Sequence, residues 1–181
     1  TDTESFANKL SDDRYRTFAS SFQFSSESST TQTSSQVEDV IDHYKKTLDD
    51  EAQSVAAENS YFKGAIGAVT NTDQLLGNER LRTYTLDALG LDTKYWDRNF
   101  LTKVLTSDVS DPASFVNTLT VQNKSDYVAL ASSFNFNAGG TLDSGVTAQN
   151  ASQTASLVDS YTFTVPSRLV PAAADLNKEY F

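Results

Sequence analysis

An all-α fold, a helical bundle built from domain-sized repeats with one long helix and several short helices per unit, follows from three features of the sequence. Apolar residues recur at helical spacing along most of the chain, polar cap residues bracket those stretches, and one short helix pair is spelled out twice. The first copy is residues 1–24 (TDTESFANKLSDDRYRTFASSFQF) and the second is residues 111–136 (DPASFVNTLTVQNKSDYVALASSFNF). Phe6 and Leu10 recur as Phe115 and Leu119, 109 positions on, and Tyr15, Phe22 and Phe24 recur as Tyr127, Phe134 and Phe136, 112 positions on. The extra residues fall between two helices, where an insertion costs little closure entropy. These ten residues are the expected structural anchors of the repeat, aromatic and aliphatic side chains buried in a core.

In the first copy Asp2 is placed as an N-cap, Phe6, Ala7 and Leu10 form an apolar stripe, and a turn at 11–13 leads to Tyr15, Phe18, Ala19 and Phe22. In the second copy Asp111 is followed by Pro112, which suits the first helical position. Residues 25–35 (SSESSTTQTSS) are a polar linker with nothing to bury. Ser35 with Glu38 gives a capping-box pattern, and from there Val37, Val40, Ile41, Tyr44, Leu48, Val55, Phe62, Ile66 and Val69 keep one helical face. At about 1.5 Å per residue that is a helix of about 50 Å, with a bend expected at Gly64 and Gly67.

Short helical pieces follow. Thr72 or Asp73 opens a turn that Gly77 closes, Asn78 caps 79–89, Gly90 is a left-handed C-cap with Leu91 behind it, and Asp92 caps a helix carrying Trp96, Phe100, Leu101, Val104 and Leu105. After the second helix pair, residues 137–151 form a Gly/Thr/Asn-rich linker in which Gly139 and Gly140 supply flexibility. Ser152, Gln153, Leu157, Val158 and Tyr161 then echo Ser35, Gln36, Val40, Ile41 and Tyr44, each 117 positions on, and Tyr180 and Phe181 echo Tyr61 and Phe62. Pro166 and Pro171 are expected to break the long helix in this copy, and 161–165 (YTFTV) reads as a short strand. The organisation expected is a preceding repeat's C-terminal helix pair (1–24), a linker (25–35), one complete unit (36–136), a second linker (137–151) and the start of a third unit (152–181). A unit of that length is far longer than a solenoid repeat. A chain that opens at Thr1 inside a repeated unit and contains no Met reads as a piece of something longer or a processed product.

Composition narrows the function classes. A net charge of −10 argues against nucleic acid as a partner, because phosphate binding draws on clustered Lys and Arg. No apolar run approaches the roughly 20 residues of a spanning helix, so no membrane insertion is expected. The absence of Cys removes thiolate metal sites and thiol nucleophiles. His43 is the single His, with no second ligand at metal-binding spacing, and reads as a surface residue. Asp12, Asp13, Glu38, Asp39, Asp42, Asp49, Asp50 and Glu51 fall in caps and on polar helix faces, and Asp108 and Asp111 bracket a turn. No catalytic residue, cofactor or metal is assigned.

The run LLGNERLRTYTLDALGL, then FLTKVLTSDVSDPASFVNTL, then YVALASSFNF resembles a helical repeat of alphaproteobacteria, filed as a domain of unknown function, whose members are commonly associated with flagellar gene clusters. Leu81, Leu86, Gly90, Phe100, Leu105, Asp111, Phe115, Leu119, Phe134 and Phe136 fall on its pattern, while Val116 stands where Ala is usual. The resemblance implies a non-enzymatic, flagellum-associated protein acting through contacts with flagellar components or with copies of itself. It carries over no catalytic residue. A chain rich in Ser, Thr, Asn, Asp and Gln also fits an exported protein. The rival expectations are a secreted or surface binding module, which needs a deep polar pocket, and a carboxylate-dependent hydrolase, which needs two facing buried acids.

Overall fold

The computed structural model describes residues 5–23, 30–94 and 96–178, with side chains as far as residue 166. Asp2, Phe24, Tyr180, Phe181 and part of the 25–35 linker lie outside the described residues. The regular elements among those described are all helical, joined by one isolated antiparallel bridge between Asn71 and Thr141. None of the described helices is long and apolar enough to cross a membrane.

Two compact units divide the chain, Thr1–Ala52 and Gln53–Phe181. The first holds α1 (Phe6–Lys9), α2 (Asp13–Ser20) and the start of α3 (Ser34–Ala65). Asp12 caps α2 by accepting from the Arg14 amide at 2.9 Å. The Arg14 guanidinium also donates to its carboxylate, and these bonds, the side-chain ones foremost, hold the carboxyl down at about 2. The long helix starts one residue before the expected cap. Its capping box is Thr33 with Gln36: the Gln36 amide donates to Thr33 Oγ1 at 3.2 Å and the Thr33 amide to Gln36 Oε1 at 2.8 Å. Gln at the third position satisfies the outermost amide as Glu would, so the polar run before the helix offered several registers.

The second unit begins with the last turns of α3, which tighten into a 3-10 turn at Ile66–Ala68, where the two glycines led us to expect a bend. Next come α4 (Thr72–Gly77), α5 (Glu79–Ala88), α6 (Arg98–Leu105), α7 (Phe115–Thr118), α8 (Lys124–Ser132) and α9 (Ala151–Lys178). Asn71 caps α4, and Asn78 caps α5 by accepting from the Leu81 amide at 3.1 Å. Gly90 takes φ 71°, and the Leu91 amide reaches the Leu86 carbonyl at 2.9 Å, the expected left-handed stop with a buried Leu behind it. Helices α4, α5 and α6 pack together, α9 lies on α5, and α7 and α8 lie on α6. Phe62, Leu75, Tyr84, Val104, Leu105, Val116, Leu130 and Leu157 form the centre of the core.

Several expectations are corrected here. Asp92 closes a turn on the Lys94 amide at 2.7 Å, and the cap of α6 is Asp97, which accepts from Phe100 at 2.7 Å. Asp111 likewise binds the Ala113 amide at 2.9 Å in a turn, and α7 starts only at Phe115. In both places an Asp suited to capping also suits an Asx turn, and the turn wins. No strand forms at 161–165, and neither Pro166 nor Pro171 breaks α9, which runs through both. A helical Pro costs about 3 kcal/mol, and burial of Leu157, Val158 and Tyr161 on α9 offsets it. Gly139 and Gly140 are not a flexible pair either. Asn137 Oδ1 accepts from the Gly139 and Thr141 amides at 3.0 and 3.2 Å, and the Gly140 carbonyl accepts from the Thr72 amide at 2.9 Å. Gly140 sits at φ +76°, where a Cβ would fall 2.8 Å from Thr72 Oγ1, so close approach and a left-handed turn both require Gly.

Candidate functional site

The two copies of the helix pair carry the same polar clasp. In the first, Gln36 Nε2 donates to the Ser20 carbonyl at 2.9 Å and Gln32 Nε2 to the Ser21 carbonyl at 2.9 Å. In the second, Gln153 Nε2 donates to Ser132 at 2.9 Å and Gln149 Nε2 to Ser133 at 2.9 Å. The capping box recurs too, with Asn150 in the place of Thr33: the Gln153 amide donates to Asn150 Oδ1 at 2.9 Å and the Asn150 amide to Gln153 Oε1 at 2.8 Å. Each clasp ties the end of the short helix to the start of the long one, satisfying carbonyls that a helix terminus leaves open. These glutamines were not singled out as a site, although Gln36 and Gln153 had already marked the repeat.

What the copies do with their apolar residues differs. In the second unit Tyr84 of α5 lies between Phe62 of α3 and Tyr161 of α9, with ring centroids 4.3 Å and 4.0 Å away and planes within 11° and 12°. Tyr84 Oη donates to Asn59 Oδ1 at 2.7 Å. Burial, then the neighbouring Tyr161 and Glu58, pushes its pKa well above the phenol range, and burial first and Glu58 second raise that of Tyr161. On α6, Phe100 meets Phe115 and Tyr127 edge-on at 5.6 and 5.0 Å. Leu130 lines a small void with Leu75, Leu76, Leu101 and Leu105. Phe115, Leu119 and Tyr127 are half-buried against this core, and Phe134 and Phe136 are buried.

The matching residues of the first copy are turned to solvent. Phe6 is 77% exposed and Tyr15 is exposed, against the expectation that both anchor a core, while Leu10 and Phe22 are half-buried. Phe18, which aligns with the 1% exposed Leu130, is 64% exposed, and Tyr44, which aligns with the 8% exposed Tyr161, is 64% exposed. Val40 and Ile41 are exposed where Leu157 and Val158 are buried. The physical reason is that burial needs a second surface opposite the side chain. In the second copy the covering surface is α5 and α6, on which Tyr161, Phe115 and Tyr127 pack.

Asp13, Asp39 and His43 line the groove between α2 and α3 beside Phe18 and Val40. His43 is exposed, its Nδ1 2.7 Å from the Asp39 carbonyl. The carboxylates of Asp13, Glu38, Asp39, Asp42, Asp49, Asp50, Asp108 and Asp111 are exposed, and Asp12 and Glu51 are half-buried. Asp108 accepts from the Ser110 hydroxyl at 2.6 Å and its amide at 2.8 Å, which lowers its pKa. Among the described residues no cluster of three or more acidic, His or Cys side chains could hold a metal ion. The arrangement is therefore one of packing surfaces: a buried aromatic seam in one unit and its uncovered counterpart in the other.

A family model described as "Protein of unknown function (DUF1217)" matches residues 1–95 and again 88–164. The X-ray crystal structure of protein AGR_C_984 from Agrobacterium tumefaciens is similar over 60% of this chain and 44% of that one, at 31% identity and a TM-score of 0.47. The chain thus spans less than half the length of that protein. No curated protein matches it.

Proposed function

The chain belongs to the DUF1217 family, and we propose that it is a non-enzymatic helical repeat protein of the bacterial flagellum that acts through protein contacts. The observation that carries the contact role is the apolar face of the first copy: Phe18, Val40, Ile41 and Tyr44 are exposed where their repeat counterparts are buried. A contiguous apolar patch rimmed by charge is the usual mark of a protein interface. Asp13 and Asp39 stand beside Phe18 and Val40 at that rim and favour its solvation. The flagellar assignment rests on the sequence pattern shared with repeats of flagellar gene clusters, and flagellar components or further copies of the repeat are the partners it implies.

The test is swimming and flagellar ultrastructure in a strain deleted for the gene that encodes this chain. Reduced motility or abnormal filaments is the expected result. Normal swimming with normal filaments overturns the flagellar assignment and leaves the contact role to be judged by binding alone.

A further inference from the structure

We infer that the exposed face of the first copy is a docking surface for one particular shape, a further copy of the repeat's own α4–α6 module. The inference deepens the contact role proposed above and does not depend on where in the cell the chain works. Its warrant is internal. The clasps and caps show that the two copies have the same local fold, and the second copy displays what lies on this face when it is covered. There, Tyr161 stacks on Tyr84 of α5, and Phe115 and Tyr127 meet Phe100 of α6.

The first copy offers the same letters in the same places. Tyr44 stands for Tyr161, Phe6 for Phe115 and Tyr15 for Tyr127, with Phe18 in the position of Leu130. On α3, Val37, Val40, Ile41, Tyr44 and Leu48 fall on one stripe and are all exposed. A groove between α2 and α3 is lined by Phe18, Val40 and Gln36, ready to take the apolar ridge of another helix. The occupant needs an aromatic at the Tyr84 position, another at the Phe100 position and leucines between them. Its own α7–α9 face must be open, because inside this chain α9 already covers α5 at an effective concentration that a second molecule cannot match.

The fit can be tested by extending the full chain, placing a second copy of residues 53–109 directly before Thr1, which restores the repeat register of 109. Docking predicts that amide exchange across residues 37–48 slows by about tenfold or more relative to the unextended chain. It also predicts that Tyr44→Ser, which leaves the melting temperature of the unextended chain unchanged to about 1 °C, lowers that of the extended chain by about 5 °C. Unslowed exchange overturns the inference, whether the added segment is folded elsewhere or unfolded. So does a concentration-dependent dimer of the unextended chain in sedimentation that Val40→Asp abolishes, since that face would then pair with itself. Either failure leaves the motility result untouched, and the two readings fail separately.

Discussion

The first and second helix pairs differ less in their letters than in what surrounds them. Both end their short helix with a serine carbonyl held by a glutamine, at 2.9 Å in each case, and both start the long helix with a reciprocal cap. Yet Tyr161 is buried in a three-ring stack and Tyr44 faces water. The clasp joins residues 16 positions apart in the first copy and 21 in the second, all within the helix pair and the start of the long helix, so it is reproduced wherever those segments recur. Burial needs a second surface, and the second copy meets α5 and α6.

The comparison breaks most sharply under truncation. Leu130→Ala should cost about 2–5 kcal/mol and Tyr161→Ala a similar amount, whereas Phe18→Ala and Tyr44→Ala should stay within about 0.5 kcal/mol. Urea unfolding followed by far-UV circular dichroism measures all four. Equal losses in the two copies would mean that the first face is covered after all.

Removing the clasp sharpens the other half of the comparison. Gln153→Leu should cost about 1–3 kcal/mol, because it also strands Asn135, which exchanges hydrogen bonds with Gln153 at 3.0 Å. Gln36→Leu should cost less, about 1 kcal/mol, its partners being exposed. If the loss at Gln36 matched that at Gln153, the first clasp would be as shielded from water as the second.

The smallest effect expected is in alkali. Burial keeps Tyr84 and Tyr161 protonated in the folded chain above the pH at which they ionise when unfolded. The unfolded state then holds fewer protons, so their contribution is fully present below about pH 10 and fades as pH rises past it. The urea midpoint should therefore fall between pH 9 and 11, as approximate bounds for tyrosine ionisation, and fall less steeply in Tyr84→Phe. A slope unchanged by that substitution would deny Tyr84 this role.

Much of the molecule was legible in its letters because the relevant forces act over a few residues. Helical spacing marked the all-α class, Asn78 and Gly90 marked the ends of α5, and the recurrence of Phe6, Tyr15 and Phe22 marked the repeat. The misreadings share one cause. Asp92 and Asp111 fit both a cap and an Asx turn, Gly140 fits both a loose linker and a tight one, and Pro166 opposes a helix that distant packing nevertheless holds. In each case the local preference was weak or divided, and at Gly140 and in α9 a contact far along the chain decided it.

The sequence by itself determined the helical class, the ends of α5 at Asn78 and Gly90 and the twofold occurrence of the pair, since helical spacing and caps depend on groups only a few positions away. Only the tertiary structure decided which copy buries its aromatics. Phe115 and Phe6 are the same residue in the same local setting, yet Phe115 meets Phe100 edge-on at 5.6 Å and Phe6 is turned to solvent. Hydrophobic burial depends on the surface brought opposite a side chain, which is a property of the assembled fold and is written in no short stretch of letters.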